Sequence, residues 1–359
     1  MTGDYFTPEE VARASRYRHP LYLTGAAGLA LDVLVLALLS WTVLGDALDP
    51  GSLPWWARTP LYAAIVVAVL TLVGVPLSLW TSLVRERRWG LSTQTLSSWL
   101  SDLVKALLVN AVLAALAFLA IVAVARALPG WWVVPVAVAL AGFAVLLSFL
   151  APVVLEPLFN RYEPLEDEEL AGSLRELASR AGAPVRDVLV QDASRRTRKA
   201  NAYVSGLGNT RRVVVSDTLL EQAPPPEIRL VVAHELGHRR HRHVAWGTLL
   251  FTAVVIAGTA VVWAVFGPDV ADPHRIPEVM LLGLGLGVLV MPLMAATSRS
   301  WERTADRFAL TLTRDPAAYR GVFLRLARTN LSDLDPPRVV YLLSFSHPTP
   351  PERLAAAST

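Results

Sequence analysis

Six stretches of this chain are each long and apolar enough to cross a bilayer as a helix, near 21–44, 61–84, 102–128, 131–155, 244–266 and 279–297. A hydrocarbon core takes roughly 18 to 25 mainly apolar residues per helical crossing. With hydrophobic residues at 53% and charged residues at 18% of 359 positions, one water-exposed domain cannot hide that much apolar surface, so lipid is the expected solvent for much of it. The sequence therefore predicts a mainly α, polytopic transmembrane bundle of about six spans. Trp41, Trp55, Trp80 and Trp131 stand at span ends, where an apolar ring with a polar N–H fits the headgroup layer.

The charge pattern orients the bundle. Arg13, Arg16 and Arg18 precede the first span, Arg85, Arg87 and Arg88 follow the second, and Arg239, Arg240 and Arg242 precede the fifth. With six spans these clusters share one side, and the positive-inside bias makes it the cytoplasm, with both termini. The connections near 45–60 and 267–278 carry one arginine each. Topology thus accounts for the arginines, and nucleic acid is not an expected partner. The polar N-terminus "MTGDYFTPEEVARASRYRHP" is no secretory leader, so Leu21 is expected to begin an uncleaved anchor.

The expected organisation is four spans in 1–155, a polar insert over 156–243, spans five and six in 244–297, and a polar C-terminal region over 298–359. In the insert, "LEDEELAGSLRELASRAG" predicts an amphipathic helix with Gly182 past its end. "DVLVQD", "ANAYVSG" and "RRVVVSD" predict three strands, the last two joined through "LGNT". A further helix starts at "APPPEIRL" and is expected to carry the whole stretch "VVAHELGHRRHRHVAW".

That stretch holds the chemistry. His234 and His238 are one helical turn apart, so their imidazoles can share one tetrahedral metal, with Glu235 beside the metal rather than on it. H-E-x-x-H is a recognised zinc-hydrolase signature. The chain has no cysteine, so every ligand must be His, Asp or Glu. A catalytic zinc needs a third protein ligand, and Val244 stands where the extended motif would place another His. Glu302 and Asp306, one turn apart in "TSRSWERTADRFAL", are candidates: Glu302 as ligand and Asp306 as acceptor for a ligand histidine's outer N–H. From spacing alone they read equally as a solvated carboxylate pair. His241 and His243 read as part of an interfacial basic patch. Asp32 falls mid-span, where an ionisable group is costly.

Five segments, "EPLFNRYEPL", "NAYVSGLGNTRRVVVSDTLL", "VVAHELGHRRHRH", "SRSWERTADRFA" and "SHPTPPERL", occur in the order found in the type I CAAX prenyl proteases, integral-membrane zinc endopeptidases of the gluzincin clan. The chain resembles that family from about Tyr5 to its end. The resemblance implies a small cytoplasmic α+β zincin-like catalytic domain on the bundle and one zinc ion per chain. It implies His234, His238 and Glu302 as ligands, Glu235 as general base, and Asp306 as outer partner of a ligand histidine. Asn201 and Tyr203 match the edge strand that holds the substrate backbone. His347 matches a residue near the scissile bond, a donor for the tetrahedral oxyanion, and Arg353 one near the substrate's terminus.

The family's eukaryotic members have seven spans, and "YFTPEEVARASRYRHP" resembles the segment after their first. The chain is therefore expected to be a shorter variant with an altered chamber wall. Its Leu-, Ala- and Arg-rich composition resembles bacterial proteins, where farnesylated substrates are not expected. The expected function is hydrolysis of peptide or membrane-protein substrates at a bacterial cytoplasmic membrane. Quality-control cleavage of misfolded membrane proteins is one alternative, and a transporter or channel with a regulatory zinc another.

Overall fold

The structure, a computed structural model, describes residues 2–150, 154–206 and 211–356. Helix α1 (Pro8–Trp41) starts well before its apolar window, because Thr7 and Glu10 form a capping box. The Glu10 carboxylate accepts the Thr7 N–H at 2.9 Å, and the Thr7 hydroxyl accepts the Glu10 N–H at 3.3 Å. Its first turns pack through Ala14, beside Phe6, onto Tyr319, Val322 and Phe323. The segment expected merely to precede the first span is thus docked on the catalytic end.

After the short α2 (Val43–Leu48), α3 (Trp55–Ser78) passes through a π-helical turn at Leu79–Val84 into α4 (Arg85–Arg88). Helices α5 (Leu96–Ala127) and α6 (Val133–Leu150) complete the N-terminal half. Five helical stretches among the described residues are long and apolar enough to cross a membrane: Pro8–Trp41, Trp55–Arg88, Leu96–Ala127, His243–Ala271 and Pro273–Thr313. The sixth expected span, 131–155, is the apolar α6, and residues 151–153, Pro152 included, lie outside the described part. Leu23, Val43 and Leu289 are more than 70% exposed. Side chains of that kind in number require hydrocarbon around them. Inside the bundle, Val35, Leu36 and Leu39 of α1 pack on Tyr62, Ala63 and Val66 of α3.

At the bundle end remote from the insert, Asp49 joins two connections. Its carboxylate accepts two hydrogen bonds from Arg58, at 2.7 and 2.5 Å, and lies 3.0 Å from His274 Nδ1. Burial alone would raise the Asp49 carboxyl, but the bonds and charges of Arg58 and His274 outweigh it and hold it below the usual 3.8.

The insert opens with α7 (Glu156–Phe159) and builds a four-stranded sheet from β1 (Tyr162–Pro164), β2 (Asp187–Gln191), β3 (Ala202–Ser205) and β4 (Arg212–Ser216), in spatial order β1-β2-β4-β3. β2 and β4 are parallel, with Val188 opposite Val213, and the two outer strands are antiparallel to their neighbours. The sequence misses β1, three residues ending in a proline that only an edge position tolerates. The expected "LGNT" turn, 207–210, lies outside the described residues. Between β1 and β2, α8 (Glu168–Arg180) is capped by Asp167 and ends at Gly182, whose φ of +70° suits glycine. It buries Leu170, Leu174 and Leu177 on the sheet, at about 1.5–3 kcal/mol for each fully buried leucine.

Helix α9 (Asp217–Gln222) leads into α10 (Pro225–Arg240), whose Leu236 and Ala233 share that core with Ala309. The helix does not carry the whole His-rich stretch. It stops at Arg240, Arg242 takes a left-handed conformation at φ 56°, and α11 (His243–Phe266) starts in a new direction. Helix α12 (Ile276–Thr313) then runs unbroken from the membrane into the catalytic region. It is followed by α13 (Pro316–Thr329), α14 (Arg338–Ser344) and α15 (Pro350–Ala356).

Candidate active site

Two helices meet at the site because one glycine lets them. A methyl at Gly237 would stand 3.1 Å from Ala305 Cα and 3.2 Å from the Ala305 carbonyl oxygen, tighter than most such contacts. The contact brings α10 and α12 together one residue from His238 and three from Glu302. His234 Nε2 and His238 Nε2 are 3.2 Å apart, and each lies 3.2 Å from an oxygen of Glu302. His234 and Glu302 are buried, and His238 is half-buried.

The outer nitrogens set the tautomers. His234 Nδ1 lies 2.9 Å from Asp306, so its proton goes to that carboxylate and Nε2 keeps a lone pair. His238 Nδ1 lies 3.0 Å from His243 Nδ1, an arrangement that lets His238 donate outward and leaves its Nε2 a lone pair too. With both imidazoles neutral, three acceptors converge, and Glu302 Oε2 has no hydrogen-bond partner among the described residues. A cation satisfies such a cluster. Two nitrogens bound tetrahedrally to zinc at about 2.05 Å would be roughly 3.3 Å apart, which matches the observed separation. Burial alone would disfavour a charge on His234, yet Asp306 and Glu302 lift it to about 9, a further sign of how strongly the cluster attracts positive charge.

Arg353 closes the far side of Asp306. Its guanidinium donates from Nε to one carboxylate oxygen at 2.9 Å and from Nη2 to the other, and its Nη1 is 3.6 Å from Glu302. This cation, which the family resemblance puts near a substrate's terminus, bonds Asp306 and faces Glu302. His347 reaches the same place from the loop after α14. Its Nε2 lies 3.3 Å from Glu302, and the Ser346 hydroxyl, 2.8 Å away, can donate to Nδ1, which puts the ring's proton on the inward nitrogen. Arg299 anchors that loop, donating to the carbonyls of Tyr341 (3.0 Å) and Phe345 (2.6 Å).

Glu235 lines a cavity of about 570 Å³ together with His234, Glu302, His347 and Asn201. No hydrogen bond reaches its carboxylate among the described residues, and burial raises its affinity for a proton. Tyr203 differs from Asn201: its hydroxyl turns away from the cavity to Tyr162 (3.0 Å) and Glu156 (3.4 Å). The edge of β3, not the Tyr203 ring, borders the cavity.

Sequence reasoning placed His243 in a basic surface patch. It is instead buried behind His238 and stacked on Trp301, centroids 5.1 Å apart. Helical spacing hid this, because five residues do not share a helix face, whereas the left-handed turn at Arg242 brings His243 back. Arg299 had no sequence signal beyond its position one turn before Glu302.

A bundle of apolar helices joined to a buried His–His–Glu cluster beside a free glutamate defines an integral-membrane metallopeptidase. The chain belongs to peptidase family M48, whose sequence model matches residues 164–359, and residues 11–161 match the CAAX prenyl protease N-terminal region, described as five membrane helices. It is 29% identical to the uncharacterised metalloprotease YhfN of Bacillus subtilis, over 99% of this chain and 87% of that one. It is also 29% identical to CAAX prenyl protease 1 of Saccharomyces cerevisiae, over 84% and 72%. The crystal structure of S. mikatae Ste24p shares the fold, with a TM-score of 0.82 at 24% identity, covering 99% of this chain and 90% of that one.

Proposed function

We propose that this membrane metalloprotease holds one zinc ion per chain between His234, His238 and Glu302, and that Glu235 is its general base. The observation that carries the reading is the convergence of His234 Nε2, His238 Nε2 and the Glu302 carboxylate within 4.8 Å of one another, beside the Glu235 carboxylate, which no hydrogen bond reaches among the described residues. When bound, zinc would supply Lewis acidity and lower the pKa of a coordinated water.

The residues of the chain do the rest. Glu235 takes the water's proton and returns it to the leaving amine. His347 Nε2–H donates to the oxyanion of the tetrahedral species. Asp306 holds His234 in the required tautomer, and Arg353 holds Asp306 ionised. The edge of β3 at Ala202, beside Asn201, takes the substrate in extended form, reading its main chain with wide side-chain tolerance. The functional units are spans one to four (1–155), the insert (156–243), spans five and six (244–297) and the completing C-terminal region (298–359). The arginine distribution supports a cytoplasmic site in a bacterial membrane. The prenylated substrates implied by the names of several relatives are not carried over.

The test uses detergent-purified full-length protein. Expected results are one zinc per chain and cleavage of a peptide library by the wild type, with zinc retained and cleavage abolished in Glu235→Gln. Zinc retention with undiminished cleavage in that variant would instead support a polytopic protein with a regulatory metal. Unfolded membrane proteins and short peptides, compared as substrates, separate quality control from peptide processing.

A further inference from the structure

The outer edge of β3 is taken at both ends and open between them. Ala202 pairs with Val215, and the Ser216 N–H donates to the Asn201 carbonyl at 2.9 Å. In an antiparallel ladder this makes Asn201, Tyr203 and Ser205 the residues that bond inward to β4, and it turns the N–H and C=O of Ala200, Ala202 and Val204 outward. At Ala200 the side-chain amide of Asn330 makes both bonds of a missing neighbour strand: Oδ1 accepts the Ala200 N–H at 3.1 Å, and Nδ2 donates to the Ala200 carbonyl at 3.2 Å. At Val204 the carbonyl accepts Arg239 Nη2 at 2.6 Å. At Ala202, among the described residues, no side chain or loop bonds the outward groups, and this residue lines the cavity beside His234 and Glu235.

Both stops are held from behind. Asn330 donates its own N–H to the Leu326 carbonyl at 2.9 Å, and its carbonyl accepts Arg18 Nη2 at 3.1 Å. Arg239 belongs to the helix that carries His238. An unpaired strand edge recruits any extended chain along its whole length. Here Ala202 alone offers both an N–H and a C=O, and Val204 keeps only its N–H.

We infer that this chain docks its substrate backbone through a single strand-pairing residue, Ala202, and that Asn330 and Arg239 are positioning residues that confine the pairing to it. The inference rests on the peptide-hydrolase reading and narrows it. The ligand class is a short extended peptide with one free N–H and C=O pair at a fixed distance from the scissile bond. A long strand added to the sheet is excluded.

The test is a backbone N-methyl scan of one cleavable peptide, each amide except the scissile one methylated in turn. Affinity is measured on the full-length, zinc-loaded Glu235→Gln protein. One position is expected to lose roughly tenfold or more in Kd, the others little, as for loss of one hydrogen-bonded pair. Arg239→Ala, made in that background, should create a second sensitive position two residues from the first, and Asn330→Ala should create one on the opposite side. A scan with sensitivity at two or more alternating positions before either substitution, or with none at all, overturns the inference. So does an unchanged pattern in both variants. Should the single sensitive position appear while the wild type cleaves nothing, the hydrolase reading falls and the single-residue docking stands.

Discussion

Gly237 of α10 lies directly against Ala305 of α12, so closely that even a methyl there requires the facing backbone to shift by a few tenths of an ångström. The glycine of the H-E-L-G-H motif therefore acts through the helix that carries Glu302. Gly237→Ala is expected to cost about 1–3 kcal/mol by overpacking and to weaken metal binding more than Gly247→Ala, whose nearest neighbour is a side-chain atom 3.4 Å away. Thermal unfolding and zinc titration of the two variants check this.

Arg353 and Asp306 form a buried pair that supports His234. Removing one partner of such a pair costs about 3–5 kcal/mol, because the other charge is left uncompensated. Arg353→Met should therefore be severely destabilised, and Arg353→Met with Asp306→Asn less so than the sum of the single changes. Asp306→Asn alone should lower zinc affinity about 10- to 100-fold through the loss of His234 orientation. A double-mutant cycle read by unfolding and by metal affinity distinguishes the two effects.

Arg299 holds the two carbonyls that shape the loop before His347. If His347 donates to the oxyanion, Arg299→Ala should lower kcat with little change in KM, approaching the roughly 10²- to 10³-fold loss expected for His347→Ala. The double variant should be no slower than His347→Ala alone. Steady-state kinetics on the three proteins decide it.

Asp49 stabilises the remote end of the bundle in a pH-dependent way. Its folded-state carboxyl titrates below 3.8, so its contribution is present above the unfolded value and lost as pH falls through the folded one. The advantage of wild type over Asp49→Asn, about 1.5–3 kcal/mol for hydrogen bonds to a charged group, should be present at about pH 5 and shrink below about pH 4. Thermal midpoints in detergent across that range measure it.

The spans were legible because hydropathy alone specifies a helix in lipid, where every backbone group must be satisfied within its own segment. His234, His238 and Glu302 were legible as candidates because their types and spacings are those a metal needs. Their convergence came from the family resemblance and not from spacing, since it depends on the Gly237–Ala305 approach between segments far apart in sequence. The sequence read His243 as surface because a single left-handed residue, Arg242, reverses the chain, and arginine carries no signal for that conformation. It also missed Asn330, whose role is visible only once its amide lies along the Ala200 backbone. β1 escaped because three residues hold too little alternation to read.

Helix α12 carries a transmembrane span and the acidic member of the His–His–Glu cluster on one uninterrupted rod. A single residue inserted between Pro292 and Glu302 would advance the carboxylate about 1.5 Å along the axis and swing it about 100° around it, facing it away from the imidazole pair. The register between bilayer and chemistry is thus set by counting residues along one helix, and length changes there are far less forgiving than in any loop of the chain.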